Sequence, residues 1–366
     1  MQIALIGLPQ SGKTTIFNAL TGGKGQTGRF GSGRSELNIG IGHVADIRLS
    51  KLATITKSER VVPAEITYWD VPLNTDSSYR KSGFSAEFLN MLQSADGLLY
   101  VVRDFQDPSI PHKEGDVNPD RDVDFIQSEL IFSDLLIVER RLSKVEINSK
   151  GAKPAERALL SKERDILQKV KAVLELGSSV RTINFSSQEW RELSDYQLLT
   201  LKPTMLVFNL GEEHTNDFDN ISSLRVDEYK DEDVQLANIF GKIEMELSNI
   251  ESAHEDDFRS ALGVKTSGVD DLLSRTLRLL NNVSFFSVGP RETRAWAVPM
   301  GTVAPLAAGK IHSDMERGFI RAEVIDVDDF LKVRSINECK RLGLVHTQGK
   351  DYVVQDGDIV NILFNK

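Results

Sequence analysis

Residues Gly7-Leu8-Pro9-Gln10-Ser11-Gly12-Lys13-Thr14 carry the spacing GxxxxGK[ST], the pattern a backbone needs to wrap a polyphosphate. Glycine lets the loop turn its N–H groups inward where a Cβ would collide, and a helix that follows adds the unsatisfied amides of its first turn. Lys13 brings a mobile positive charge to the β- and γ-phosphates, and Thr14 a hard oxygen of the kind Mg²⁺ prefers. Pro9, Gln10, Ser11, Gly12, Lys13, Thr14 and Thr15 are therefore the expected phosphate-binding residues, with Lys13 also acting in catalysis and Mg²⁺ as cofactor. The setting agrees, since Ile3 to Ile6 reads as a strand entering the loop and Thr14 to Leu20 as a helix leaving it.

Such a loop requires an acidic residue closing a neighbouring apolar strand, to hold Mg²⁺ through water. Asp70 ends the run Val61 to Trp69 and is the expected second metal residue, with Thr14 the first. A base-reading loop is expected after Pro203 to Phe208, at Asn209-Leu210-Gly211-Glu212. GTPases usually carry NKxD there, whose aspartate accepts two guanine hydrogen bonds that adenine cannot return. Here the acid is Glu212, one methylene longer, and Leu210 replaces the lysine whose stem flanks the purine. Adenine recognition through a displaced pocket is the better expectation, with a plain strand-ending turn as the alternative.

The elements that must position these residues follow from pattern. Short apolar runs at Ile3 to Ile6, Val61 to Trp69, Gly97 to Phe105, Pro203 to Asn209 and Asp233 to Phe240 read as buried parallel strands, with amphipathic stretches such as Phe84 to Gln93 between them. That alternation predicts a doubly wound α/β sheet, assigned to residues 1–120 and 199–282. It is interrupted by heptad-like spacing at Leu135, Val138, Leu142 and Val145 and again at Leu160, Leu167 and Leu174, which predicts an antiparallel helical hairpin inserted at 121–198. Its tip is expected at Asn148 to Glu156, where Gly151 and Pro154 fall. Residues 283–366 read as a separate small α+β domain with little helix and many short strands.

Composition bounds the function. The 366 residues are 40% hydrophobic and 27% charged, an ordinary globular balance, and 44 Lys+Arg against 54 Asp+Glu leave a net charge of −10. A chain this acidic is no generic polyanion binder, so no DNA partner is expected and any RNA contact must use local basic groups. The single cysteine, Cys339, cannot form an internal disulfide, and the first residues lack a secretory leader, so a cytoplasmic location is expected. No apolar run reaches the roughly 20 residues that span a bilayer, and no membrane role is expected.

With loop, aspartate strand, NxxE loop and terminal domain in place, the chain resembles the YchF/Obg-like ATPase family of translation-factor-class P-loop proteins over nearly its whole length. The most specific stretches are Arg294-Ala295-Trp296, Ala308 to Asp314, Arg317 to Val324 and Gly349 to Asp358, which look like the family's TGS domain, a ubiquitin-like β-grasp module. The resemblance implies ATP as ligand with GTP weaker, association with the ribosome or structured RNA, Asn209 and Glu212 as the NxxE pair, and Phe240-Gly241-Lys242 as the last nucleotide loop. It also implies a water-orienting histidine in an HxxG setting, which falls on His112.

Two departures bear on hydrolysis. The family's switch I threonine falls on Arg34, with Ser35 beside it, and the DxxG glycine on Leu73, with Asn74 to Ser82 in place of a glycine-rich switch II. Three readings stay open at this point: a slow Mg²⁺-dependent ATPase that engages a ribosome or RNA partner, an ATP-binding adaptor deficient in hydrolysis, and a GTPase regulator. Basic groups available for RNA are Arg317, Arg321, Lys332, Arg334 and Lys350.

Overall fold

The computed structural model describes residues 1–23, 25–29, 36–73, 84–112, 115–215, 229, 234–248, 250, 252–264 and 266–365. They form two compact units, one of residues 2–40 and 68–268, the other of residue 1 with 41–67 and 269–366.

The larger unit is organised by strands buried along almost their whole length. β1 (Gln2–Ile6), β6 (Gly97–Asp104) and β7 (Thr204–Leu210) are near-continuous apolar runs, as strands covered on both faces must be. With β2 (Gln26–Arg29), β3 (Glu36–Val44), β5 (Ala64–Asp70) and β8 (Gln235–Ile239) they make a seven-stranded sheet of order β2-β3-β5-β1-β6-β7-β8. β1, β6, β7 and β8 are parallel in sequence along that order, with Ile6 opposite Tyr100, Asp104 opposite Leu210 and Asn209 opposite Ile239. Their carboxyl ends therefore finish at one edge, where a doubly wound sheet binds its ligand. The helices α1 (Lys13–Thr21), α3 (Ala86–Ser94), α6 (Ser187–Ser194), α7 (Gly241–Leu247) and α8 (Ser252–Ala261) belong to this unit, and α9 (Gly268–Leu279) follows them in the chain.

The inserted hairpin consists of α4 (Pro119–Gly151) and α5 (Pro154–Glu175). The ion pairs Glu139–Lys171 and Arg141–Glu163 run in opposite sequence directions, the signature of an antiparallel pair. Ile131, Val138 and Val145, seven residues apart, are buried, as are Leu167, Val170 and Leu174. The tip is shorter than the Asn148 to Glu156 segment expected, because Asn148 to Gly151 stay helical and Pro154 opens α5, leaving Ala152 and Lys153 between. The arm is tied to the sheet by buried Asp134 of α4, whose carboxylate accepts from Leu199 N (2.9 Å), Thr200 N (2.8 Å) and Thr200 Oγ1 (2.7 Å) just before β7.

The strand expected over Val61 to Trp69 is in fact two. Pro63 has no N–H and breaks the ladder, so β4 (Arg60–Val62) separates from β5. β4 pairs in parallel with β10 (Glu292–Pro299) at the end of a second sheet of order β12-β11-β13-β9-β10-β4. The other strands are β9 (Asn282–Ser287), β11 (Phe319–Asp326), β12 (His346–Gln348) and β13 (Asp358–Phe364). Within this unit α2 (Ile47–Thr56) contributes Arg48, which bonds Asp356 (Nη1–Oδ2 2.7 Å). The scarcity of helix expected after residue 283 is not observed: α10 (Ala304–Ile311), α11 (Ser313–Arg317), α12 (Val327–Val333) and α13 (Ile336–Arg341) are present. They are too short to show a period, and three of the four carry side-chain N-caps, from His312, Asp326 and Ser335, such as Asp326 accepting from the amides of Asp328 and Asp329.

Candidate functional site

The loop between β1 and α1 takes its shape from a few backbone demands. Ser11 N donates to Leu8 O (3.1 Å), Gln10 lies at φ 67° and Gly12 at φ 84°. At Gly12 the constraint is double, because a Cβ there would stand 2.1 Å from Asn209 Nδ2, in a backbone region that L side chains rarely adopt. That neighbour is the key to the edge. Asn209, buried at the end of β7, donates from Nδ2 to Ser11 O (3.0 Å) and accepts at Oδ1 from Gly241 N (3.0 Å). One amide thus joins the loops that follow β1, β7 and β8. Gly241 is confined in turn, since its Cβ would meet Asn209 Oδ1 at 2.7 Å.

At the start of α1, Lys13 and Thr14 meet Asp70 from across the sheet. Lys13 Nζ is ion-paired with Asp70 Oδ1, and Thr14 Oγ1 donates to Asp70 Oδ2 (3.0 Å). Asn38 Nδ2 also reaches Oδ2 (3.3 Å), a contact the sequence reading did not foresee because it joins strands distant in the chain. Burial pulls the Lys13 ammonium down to about 8. Thr14 and Asp70 present hard oxygens side by side, the chemistry that fits Mg²⁺. Among the described residues no cluster of three or more His, Cys, Asp or Glu could cage a metal alone, and a phosphate-bound Mg²⁺ that keeps its waters needs none.

The other expected residues fall as follows. Leu210 and Phe240 are buried in the larger unit's core. Glu212 is exposed and bonds Lys242 (2.9 Å), while Gly241 offers its amide to Asn209. His112 follows β6 on a loop that Arg103 fastens, donating from Nε to Phe105 O (3.2 Å) and from Nη2 to Ile110 O (2.7 Å). The imidazole is buried rather than solvated, 4% exposed, with Nε2 3.0 Å from Asp122 Oδ2 in the first turn of α4. His112 and Asp122 gather with Leu8, Pro9 and Ser11 around a space too small to hold a water, so the histidine is a close neighbour of the phosphate loop. Leu73 packs, half-buried, against the core, whereas Arg34, Ser35 and Asn74 to Ser82 lie outside the described residues.

Sequence reasoning did not find Asn38, Arg103, Arg121 or Asp122. Asp122 alone had a local signal, a carboxylate ten positions after His112 in a helix first turn opened by Asn118 and Pro119.

Comparison with known proteins places the site in context. The family model for a 50S ribosome-binding GTPase matches residues 2–130, and the YchF-type GTPase C-terminal model, described as a protein of unknown function, matches residues 283–365. The chain is 33% identical over 361 residues to the ribosome-binding ATPase YchF of Escherichia coli O157:H7, covering 99% of this chain and 98% of the relative. It is 34% identical over 365 residues to the ribosome-binding ATPase YchF of Bacillus subtilis, with the same coverage of both. The solved structure of the Schizosaccharomyces pombe YchF GTPase superposes with a TM-score of 0.86 at 28% identity, covering 99% of this chain and 97% of that one. A P-loop fold of the GTPase type, a matching C-terminal region and relatives aligned from end to end lead to one conclusion: the chain belongs to the YchF family.

Proposed function

We propose that this protein binds ATP in preference to GTP together with Mg²⁺ and hydrolyses it slowly, in the service of a ribosome- or RNA-associated task in the cytoplasm. The observation that carries this reading is the convergence of Lys13 and Thr14 with Asp70, beneath a loop held in shape by Asn209. Lys13 and the loop amides bind the phosphates, and Thr14 and Asp70 hold Mg²⁺, which when bound neutralises phosphate charge. The loop of Pro9, Gln10, Ser11 and Gly12 leads into α1, whose first amides, those of Lys13, Thr14 and Thr15, face the anion. His112, a neighbour of Leu8 and Pro9 of the phosphate loop, is the residue assigned to orient the attacking water. Catalysis of this kind is mostly positioning.

The base preference rests on the loop after β7. Leu210 is buried and cannot flank a purine as a lysine stem does, and Glu212 is drawn to Lys242. Competition binding with ATP and GTP tests this. ATP is expected to bind at least tenfold more tightly, about 1.4 kcal/mol, and a tenfold preference for GTP would overturn the assignment.

The relatives are named for ribosome binding, which supports a ribosomal partner here. The exposed basic groups Arg321, Arg334 and Lys350 are the proposed contacts, whereas Arg317 and Lys332 are each paired to a neighbouring aspartate, Asp314 and Asp329. Association that weakens with added salt supports this, and salt-independent association speaks against it. Leu73, in the place of the DxxG glycine, favours one second reading: a nucleotide-loaded adaptor that does not turn over.

A further inference from the structure

The tip of the helical arm carries a charge opposite in sign to that of the rest of the chain. Residues 140–164, the last turns of α4 and the first of α5, hold eight Lys and Arg against three Glu, a net of +5 in a chain whose total is −10. All other residues together therefore carry −15. Within the arm, ion pairs join Arg141 to Glu163, Arg164 to Asp165, and Lys171 to Glu139 and Glu175. Arg140, Lys144, Lys150, Lys153 and Lys162 are exposed and form no ion pair among the described residues. Cations of the smaller unit are placed differently, since Arg317, Lys332, Lys340 and Arg341 each pair with an acid, at Asp314, Asp329, Glu323 and Glu338. From Asp134, the anchor at the sheet, α4 runs 17 residues to Gly151, so the tip lies about 26 Å along the helix from that anchor.

Two of these placements work against the free protein. Arg140 and Lys144, four residues apart, share a face of α4 as like charges, an arrangement that weakens a helix. Lys153 stands at the N-cap of α5 without a side-chain cap bond, and adds positive charge to the positive end of the helix dipole. An anion relieves both. The five unpaired cations are spread over both helices and the turn between them, so no single carboxylate can serve them all. A nucleic-acid strand can, because it carries one phosphate charge per nucleotide along a continuous path. We infer that the arm tip is a docking surface for the phosphate backbone of RNA. The inference rests on the RNA-associated reading above and adds to it a contact surface on the arm. Phosphate contacts carry no base information, so this docking is independent of sequence. The acidic remainder of the chain is repelled by the same polyanion, and the difference in sign orients the approach with the tip leading.

The test measures, by fluorescence anisotropy across a salt series, binding of the full chain to a labelled RNA duplex of about 16 base pairs and arbitrary sequence. Three proteins are compared: the wild type, a tip variant combining Lys144→Gln, Lys150→Gln and Lys153→Gln, and a variant of the smaller unit combining Arg321→Gln, Arg334→Gln and Lys350→Gln. The tip variant is expected to bind about tenfold or more weakly at low salt, with the slope of log Kd against log salt reduced by about 3. Its ATP affinity and phosphate release are expected to stay within about twofold of wild type, since no substituted residue belongs to the nucleotide site. A second duplex of unrelated sequence is expected to bind the wild type within about threefold of the first. Wild-type affinity and slope in the tip variant overturn the inference. Equal competition by a poly-glutamate peptide of matched charge also overturns it, assigning the tip to an acidic protein surface. A loss confined to the variant of the smaller unit overturns it too, while leaving the RNA-associated reading in place. A wild type that binds no RNA is a different failure, that of the RNA-associated reading itself, and it removes this inference with it. Should the tip variant fail to fold, Lys144→Gln alone carries the decision through a slope reduced by about 1.

Discussion

Replacing Asn209 by alanine tests how the nucleotide loop is held. The substitution deletes the bonds to Ser11 O and from Gly241 N, both 3.0 Å, in a residue only 4% exposed. Each bond is worth about 1 kcal/mol net, and a partner left buried without replacement costs a further ~1–3 kcal/mol. The loop lies at the carboxyl edge of the sheet, so it can relax until water reaches the freed groups. That recovers most of the desolvation cost and places the loss on binding rather than on global stability. The expected effect is a weakening of about 2 kcal/mol, roughly 30-fold in nucleotide affinity, with little change in the urea midpoint. Since the two bonds lost with the Asn209 side chain are to backbone groups of the loops, ATP and GTP are expected to suffer alike. Isothermal titration with both nucleotides, beside urea unfolding of the free protein, measures every quantity. Affinities within about threefold of wild type, or a loss confined to one base, would refute the reasoning. Asn209→Asp is expected to do no better, because it keeps an acceptor for Gly241 N but sets an oxygen against Ser11 O.

Burial holds Lys13 near 8, so its charge is present below that pH and lost above it. ATP affinity should be flat below pH 7 and fall between pH 8 and 9.5, a slope that Lys13→Ala removes; isothermal titration across that range reads it. For folding the sign is opposite, because the unfolded state, with a lysine pKa of about 10.4, binds more protons than the native state between pH 8 and 10.4, so this residue's contribution to stability rises with pH there. Buried Arg259 bonds both oxygens of Glu244 (2.7 and 3.1 Å), and Arg259→Ala should cost about 3–5 kcal/mol in urea unfolding by stranding that carboxylate. Glu212→Ala should change stability by at most about 0.5 kcal/mol, since its pair with Lys242 is exposed, while moving the ATP-to-GTP affinity ratio.

Legibility in the sequence followed locality. The phosphate loop is contiguous and Asp70 ends an apolar run, so both were readable, and the structure brings them together. The heptad spacing of the arm was readable because Val138, Val145, Leu167 and Leu174 repeat over several turns. What escaped was set by single residues or by distant ones. Pro63 divides a run that looks continuous, and the lone side-chain caps of the short C-terminal helices leave no period. Asn209 was expected at the base, but its amide is satisfied by two backbone groups at Ser11 and Gly241, a fact of register between β7 and β8 that no local pattern encodes. His112 was marked by resemblance alone; that it is buried against Asp122 depends on where α4 begins.

The central claim is Mg²⁺-dependent hydrolysis at the Lys13 site. Phosphate release from ATP, followed in a single turnover by highly purified wild type and Lys13→Ala, tests it most directly. Slow release that disappears in the variant is the expected result. Release that persists in Lys13→Ala, or tight ATP binding by the wild type with no release at all, would contradict it.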